Sequence, residues 1–253
     1  MSFDMKHSRY VPGMYAKKRP NAADLANQYI REWEQHRLTL VQKKQKSARV
    51  TNCICISRQI GIGALQIADM VAGKKSFRVV DREILNRIAE DADLHKPTVE
   101  FFDEKYPGKM NEFGAFLFGE KSFVMADYMR LLASAVYAIA DAGVTIFVGR
   151  GTHLLLPRER VLAVRFISKR EYRIQRIAQM MEIPEDVAEQ VIEYEDHRQS
   201  EFFKKNFGDE TASPEEFDLI INCSYMADPQ WVAELVALAY DQKFKPKLSA
   251  PNF

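Results

Sequence analysis

The sequence predicts a three-layer α/β domain, a parallel sheet with helices on both faces, preceded by a helical extension. Three observations carry this. Short apolar, β-branched segments alternate with longer amphipathic ones from about residue 50 to residue 242. The short segments are apolar throughout rather than at every second position, as strands buried on both faces must be. The first of them, Ile54-Cys55-Ile56, runs through Ser57-Arg58-Gln59-Ile60 into the turn Gly61-Ile62-Gly63-Ala64 and then an amphipathic helix. A strand, a glycine turn and a helix in that order form a phosphate-binding site, because glycines admit an anion to the backbone and the helix start offers unpaired N–H groups.

The elements follow in order. Residues 1–20 are polar, with Pro12, Pro20 and the basic Lys17, Lys18 and Arg19, and read as a loose arm. From Asn21 the period becomes helical, with Ala22, Ala26, Tyr29, Ile30, Trp33, Arg37, Leu40 and Val41 on one stripe that fades in Lys43, Lys44 and Lys46. That stripe is expected to pack on the chain's own domain or on a second copy of the chain in a homodimer, with a membrane-surface or partner-binding helix as the alternative. Strand 50–56 comes next, then helix 62–72, a strand over 77–81 ending at Asp81, and helix 82–92. Residues 97–120, aromatic and glycine-containing, read as a looped or broken-helical insertion. Helix 121–142 leads to strand Val144–Val148, which ends in Gly149-Arg150-Gly151. Strand 161–167, a basic helix over 169–181, helix 184–206, strand 219–222 and a closing helix over 228–242 complete the pattern. The organisation is an arm and helix over 1–48, a domain over 49–245 and a tail over 246–253.

Bulk properties narrow the function. Thirty-six basic and 35 acidic residues nearly cancel to a net charge of +1, so nothing global points to nucleic acid or an anionic membrane. The most apolar stretch, 131–148, is broken by Asp141 and Gly143 and does not span a bilayer. The first residues lack an apolar export signal, and three cysteines suit a reducing compartment, so a cytoplasmic location is expected. Cys53 and Cys55, two apart on a strand, share one face and read as core thiols. The five histidines are scattered without ligand spacing, so no protein-held metal is expected.

The chemistry concentrates around the glycine turn. A full phosphate loop follows its last glycine with a lysine and a hydroxyl residue; here Ala64 and Leu65 stand there. Arg58, just before the turn, is placed either to reach a phosphate in the lysine's stead or to make a surface ion pair. Ser57 is placed to ligate magnesium or to bond within the turn. Arg170, Arg173 and Arg176, three apart on a helix, line one face. Converging guanidiniums stabilise the charge spread over a transferring phosphoryl group; the alternative is a solvated face with Glu171 and Glu182. Arg150 sits at the carboxyl end of a strand, where open α/β sheets bind ligands. Asp81 holds the N-cap position of the next helix.

Four segments in this order, Ile56-Ser57-Arg58-Gln59-Ile60-Gly61-Ile62-Gly63, Asp81-Arg82-Glu83, Gly149-Arg150-Gly151 and Arg170-x-x-Arg173-x-x-Arg176 with Asp196-His197-Arg198, together with the closing Phe217–Asn222, resemble the cytidylate kinase-like family. The likeness spans roughly residues 50–242. It implies a P-loop kinase fold with a lid over about 169–210, and transfer of the γ-phosphate of Mg-ATP to a nucleotide such as CMP, magnesium bridging the ATP phosphates. Carried residue by residue, it implies donor-phosphate binding by Ser57, Gly61, Ile62, Gly63 and Ala64. It implies catalysis by Arg58, Arg173 and Arg176, Arg173 foremost, and acceptor binding by Asp81, Arg82, Arg150 and Arg198. The chain departs from the family pattern twice: Val148 and Gly151 replace acids around Arg150, and Leu65 replaces an arginine after the glycines. Two other readings stay open. A loop without its lysine would serve a non-catalytic phosphate sensor or scaffold. A Rossmann dinucleotide site would use Gly61, Gly63 and Asp81, twenty residues on, although its third glycine position is Gln66.

Overall fold

The computed structural model describes residues 10–17, 19–42, 50–106, 126–208 and 212–245. Five parallel strands form one sheet: β1 (Cys53–Arg58), β2 (Arg78–Asp81), β3 (Thr145–Val148), β4 (Val161–Ile167) and β5 (Leu219–Asn222), in the order β2-β3-β1-β4-β5. β1 is central, with Ile54 opposite Ile146 on one side and Leu162 on the other. Cys53 to Ser57 are all buried, which is why this strand carries no polar alternation: both of its faces are covered.

Alternate β1 residues feed two cores. Cys53 and Cys55 face the layer of α1 (Ala22–Gln42), α3 (Arg82–Glu90), α4 (Ala92–Lys105), α5 (Ala126–Ala142) and the single turn α6 (Thr152–Leu155). Ile54 and Ile56 face α2 (Ala64–Lys75) and α9 (Pro229–Lys243). The cysteines are free and buried, and burial pushes the Cys53 thiol up to about 12. The α1 stripe turns inward: Ala26, Ile30 and Trp33 are buried, with the Trp33 ring edge-on to Phe101 at 5.3 Å between centroids. α1 therefore packs its apolar face on its own domain.

A third, smaller core belongs to α7 (Arg170–Met181) and α8 (Glu185–Phe207). Ile177, Ala178, Ala188, Val191 and Ile192 close on Ile60 of the glycine turn and on Tyr10. This pair, which covers most of the expected lid, packs against the glycine turn.

The structure corrects three sequence expectations. Residues 92–105, of which the sequence places 97–105 in a looped or broken-helical insertion, are the helix α4, with Asp91 accepting from the Asp93 N–H at its start. Pro97 removes one intrahelical bond, about 3 kcal/mol unfavourable by itself, but the buried Leu94, Thr98, Phe101 and Phe102 hold the helix against α5. The rest of the expected insertion, the start of helix 121–142, the basic run 43–46 and the tail 246–253 lie outside the described residues. Residues 10–17 and 19 are not a loose arm, since Tyr10 and Pro12 are buried. The Rossmann reading falls on strand order. That fold pairs its first two strands, whereas β3 separates β1 from β2 and carries Asp81 away from the turn's own neighbour. Among the described residues no helix is long and apolar enough to cross a membrane.

Candidate active site

The turn after β1 is pinned to the sheet by Gln59. Its N–H donates to the Phe166 carbonyl (3.2 Å), and its side-chain oxygen accepts from the Ser168 N–H (2.7 Å). Gly61 and Gly63 both have φ near +86°, a region that side chains rarely adopt, and Gly63 is the N-cap of α2. The second reason for glycine at 63 is close approach. A Cβ there would sit 2.6 Å from Cζ of Arg176.

That contact places a guanidinium against the glycine turn. Ala64 and Leu65 are buried and bring no charge to the turn. α7 delivers one instead. Arg176 donates from Nη1 to the Gly61 carbonyl (3.3 Å) and from Nη2 to Gln66 Oε1 (3.1 Å), so its guanidinium lies on the turn itself. The three α7 arginines share a face but not a role. Arg170 points to Glu189 and Glu193 of α8, at 3.1 and 2.6 Å. Arg173 is buried and paired with Asp196, its Nη1 at 2.7 Å from Oδ2. Of the trio, Arg176 is the one that meets the glycines by its guanidinium.

A second cavity, of about 140 Å³, shares Arg58 and Arg82 with the space beside the turn and is also lined by Arg150 and Arg198. Arg58 donates to Gln199 Oε1 (3.0 Å). Burial, with the Arg82 charge beside it, pushes its guanidinium down to about 10. Arg150 adopts φ +55° between its two glycines. It donates to Asn86 Oδ1 (3.0 Å), which also accepts from the Tyr128 hydroxyl (3.1 Å). Its guanidinium lies 4.2 Å over the Phe202 ring, a cation–π contact. Burial lowers the Arg150 pKa. Gly151 has a packing reason as well, since a Cβ there would come within 2.6 Å of Phe207 Cε2. Beyond Arg150 the space widens into an open cleft of about 810 Å³ lined by Asn86, Tyr128, Arg198, Phe202 and Lys205.

Sequence reasoning missed Glu195. This buried carboxylate accepts from Arg198 (3.0 Å) and pairs with Arg82 (3.6 Å), so it sets the spacing of two proposed acceptor arginines. It also missed Asn86 and Tyr128. No motif marks any of the three, which come together only when α3, α5 and α8 pack.

Two predicted residues have other duties. Ser57 lies within β1, accepts from Arg165 Nη1 (3.3 Å), and is not on the wall of the loop cavity. Asp81 is on that wall and is also the N-cap of α3, accepting from the Glu83 and Ile84 N–H groups at 3.0 and 3.1 Å. Its other oxygen accepts from Arg19 (2.8 Å).

The model of the cytidylate kinase-like family matches residues 53–225. No curated protein matches the sequence significantly. Among solved structures, the chain is similar to an uncharacterized protein from Eubacterium ventriosum, at 14% identity and a TM-score of 0.60, over 77% of this chain and 99% of that one. That likeness is one of fold. Lower similarity is found to a shikimate kinase from Bacteroides thetaiotaomicron (13% identity, 77% and 99% covered, TM-score 0.37). The same holds for a dephospho-CoA kinase from Campylobacter jejuni (11%, 77% and 98%, TM-score 0.31).

Proposed function

The chain belongs to the cytidylate kinase-like family, and on that premise we propose that it moves the γ-phosphate of ATP to a nucleoside monophosphate such as CMP. The observation that carries the reading is Arg176 seated on the Gly61–Gly63 turn, on one side of β1, with Arg150 at the end of the neighbouring strand. A donor and an acceptor phosphate held at these two places would both lie at the carboxyl edge of the sheet.

In the proposed reaction an oxygen of the acceptor phosphate attacks the γ-phosphorus. The bond to the oxygen bridging β- and γ-phosphates breaks, and ADP leaves. The protein's part is positioning and charge. The N–H groups at Gly61 to Ala64 cradle the donor phosphates, and Arg176 and Arg58 neutralise them. Arg150, Arg82 and Arg198 hold the acceptor. An arginine pushed down only to about 10 stays charged at neutral pH, so Arg58 still serves as a cation. Magnesium would arrive with ATP and supply charge neutralisation. The group suited to hold it is the Asp81 carboxylate, on the cavity wall, rather than the Ser57 hydroxyl, which is off that wall and accepts from Arg165. Arg173 would reach the transferring group only by leaving Asp196.

A phosphate sensor without turnover is the second reading, favoured by Ala64 and Leu65 at the lysine and hydroxyl positions. Thermal melts with Mg-ATP, CMP, UMP and AMP, followed by an ADP-release assay, separate the two. A ligand at 100 times its dissociation constant stabilises by about 2.7 kcal/mol, a rise of roughly 5–10 °C for a chain of this size. Melting shifts with ADP release support the kinase, and shifts without release support the sensor. No shift with any of the four overturns both.

A further inference from the structure

The space beside the glycine turn measures only about 20 Å³, enough for a water or two, whereas a bound nucleotide needs several hundred. The N-terminal segment accounts for much of the difference. Tyr10, Pro12, Gly13 and Met14 form one wall of that cavity, opposite Gly61, Gly63 and Arg176. Gly13, at φ +110°, lies so close to Leu65 that a Cβ would meet its Cδ2 at 3.3 Å. Tyr10 is buried between Ile60 of the turn and Ile177, Ala188 and Val191 of the lid. It is close enough to Arg58 and Arg176 for their charges to oppose the rise that burial gives its pKa.

Two staples hold the segment down. The Tyr15 hydroxyl donates to Asp69 of α2. Arg19 pairs with Asp81 (2.8 Å) and Asp69 (3.4 Å) and donates to the Val79 carbonyl (3.3 Å). Both ends of the Arg19–Asp81 pair are only 17% exposed, so solvent screens it weakly. The segment lies outside residues 53–225, the part matched by the family model.

We propose that Tyr10–Lys17 and Arg19 form an autoinhibitory strap that occupies the donor-phosphate cavity, fastens the lid to the glycine turn, and must lift before a triphosphate binds. The proposal rests on the reading of the turn as the ATP site. Arg19 then blocks twice over: it fastens the strap, and it occupies Asp81, the carboxylate on the cavity wall. Ligand affinity in such an arrangement is reduced by the fraction of molecules in which the strap is open.

The test is Mg-ATP binding by calorimetry to the full chain and to the double variant Tyr15→Phe/Arg19→Ala, which cuts the staples without emptying a core. Hydrogen exchange on residues 10–19 is measured alongside. The variant is expected to bind about tenfold tighter and to exchange faster in this segment without ligand; the unmodified chain should exchange faster there once Mg-ATP is added. Equal or weaker binding by the variant, or greater protection of the segment in the bound chain, makes it a wall of the site and overturns the strap while leaving the ATP assignment standing. Failure of both proteins to bind at millimolar Mg-ATP overturns the donor-site assignment and the strap with it.

Discussion

Gly63→Ala tests the central assignment, that a lid arginine stands in for the loop lysine. The residue has φ +86°, which costs an alanine about 1–2 kcal/mol. The new methyl would also lie 2.6 Å from Arg176 Cζ, so the guanidinium must leave. Its bonds to Gly61 and Gln66 go with it, at about 1 kcal/mol each. The sum is roughly 3–4 kcal/mol of stability, or a fall in melting temperature of roughly 6–16 °C. The effect on rate is separate. Removing one preorganised charge-stabilising group typically costs 10²–10³-fold in kcat, and that loss is expected here in ADP release with saturating nucleotides. Because the methyl acts by evicting Arg176, it should add little to Arg176→Ala, so the two losses are expected to be strongly non-additive. Full additivity in the double variant would refute the reasoning, as would wild-type turnover by Arg176→Ala alone.

Other outcomes follow from the same geometry. Arg150→Lys keeps the charge but loses the planar fork and the Phe202 contact; it should raise KM for the monophosphate by about tenfold or more while leaving ATP affinity unchanged, as steady-state kinetics would show. Arg173→Ala should abolish turnover with ATP binding intact if the arginine leaves Asp196 during the reaction; unchanged kcat would confine it to holding α8. Asp141 is buried, with His36 and the Trp33 indole beside its carboxylate. Burial raises its pKa above the ordinary 3.8, so the folded chain keeps this proton to higher pH than the unfolded one. Stability from this group is then complete below 3.8 and is lost as pH rises through the folded value. Asp141→Asn should accordingly raise the melting temperature at pH 7–8 and lose its advantage near pH 4; an equal gain at every pH would contradict the assignment.

Much of the fold was legible because its signals are local. β4 and β5 fall on the residues expected of them, β4 because it is a continuous apolar run in the covered part of the sheet and β5, at the edge with Ile220 exposed, because its short apolar run is bounded by polar residues. α4 was hidden by Pro97, a local signal that long-range burial of Phe101 and Phe102 overrides. At the site, the glycines and Arg150 announced themselves by their place after strands. Helical spacing put Arg170, Arg173 and Arg176 on one face, but it could not say which acid waits across the groove. Asp196, Glu189 and Glu193 are ordinary members of an acidic helix until α8 packs against α7. Those partners, rather than the spacing, leave Arg176 as the arginine whose guanidinium lies on the glycines, while Arg173 donates to the Ile60 carbonyl and pairs with Asp196. The arm was misread for a similar reason. Its polar composition suggests solvent, yet Tyr15 and Arg19 find their carboxylates on α2 and at the end of β2, more than 50 residues away.

Where the charge originates has a mechanical consequence. A lysine that follows the last glycine is part of the loop, so it is present whether the site is open or closed. Arg176 belongs to α7, so on the proposed reading its share of the charge would be present only while α7 lies on the turn, whereas Arg58 stays with β1. Donor-phosphate affinity and lid position then become one equilibrium, with each favouring the other by the same factor. Tyr10 sits at the joint between them, touching Ile60 of the turn and Ile177 of the lid. On the proposed reading the strap holds α7 on the turn, where Arg176 is satisfied by protein oxygens instead of phosphate. Exchanging those two neutral acceptors for a charged one strengthens each bond, which supplies a gradient toward the nucleotide-bound state once the strap has lifted. On that reading the absence of the lysine would not leave the loop inert; it would pass control of part of the loop's charge to α7.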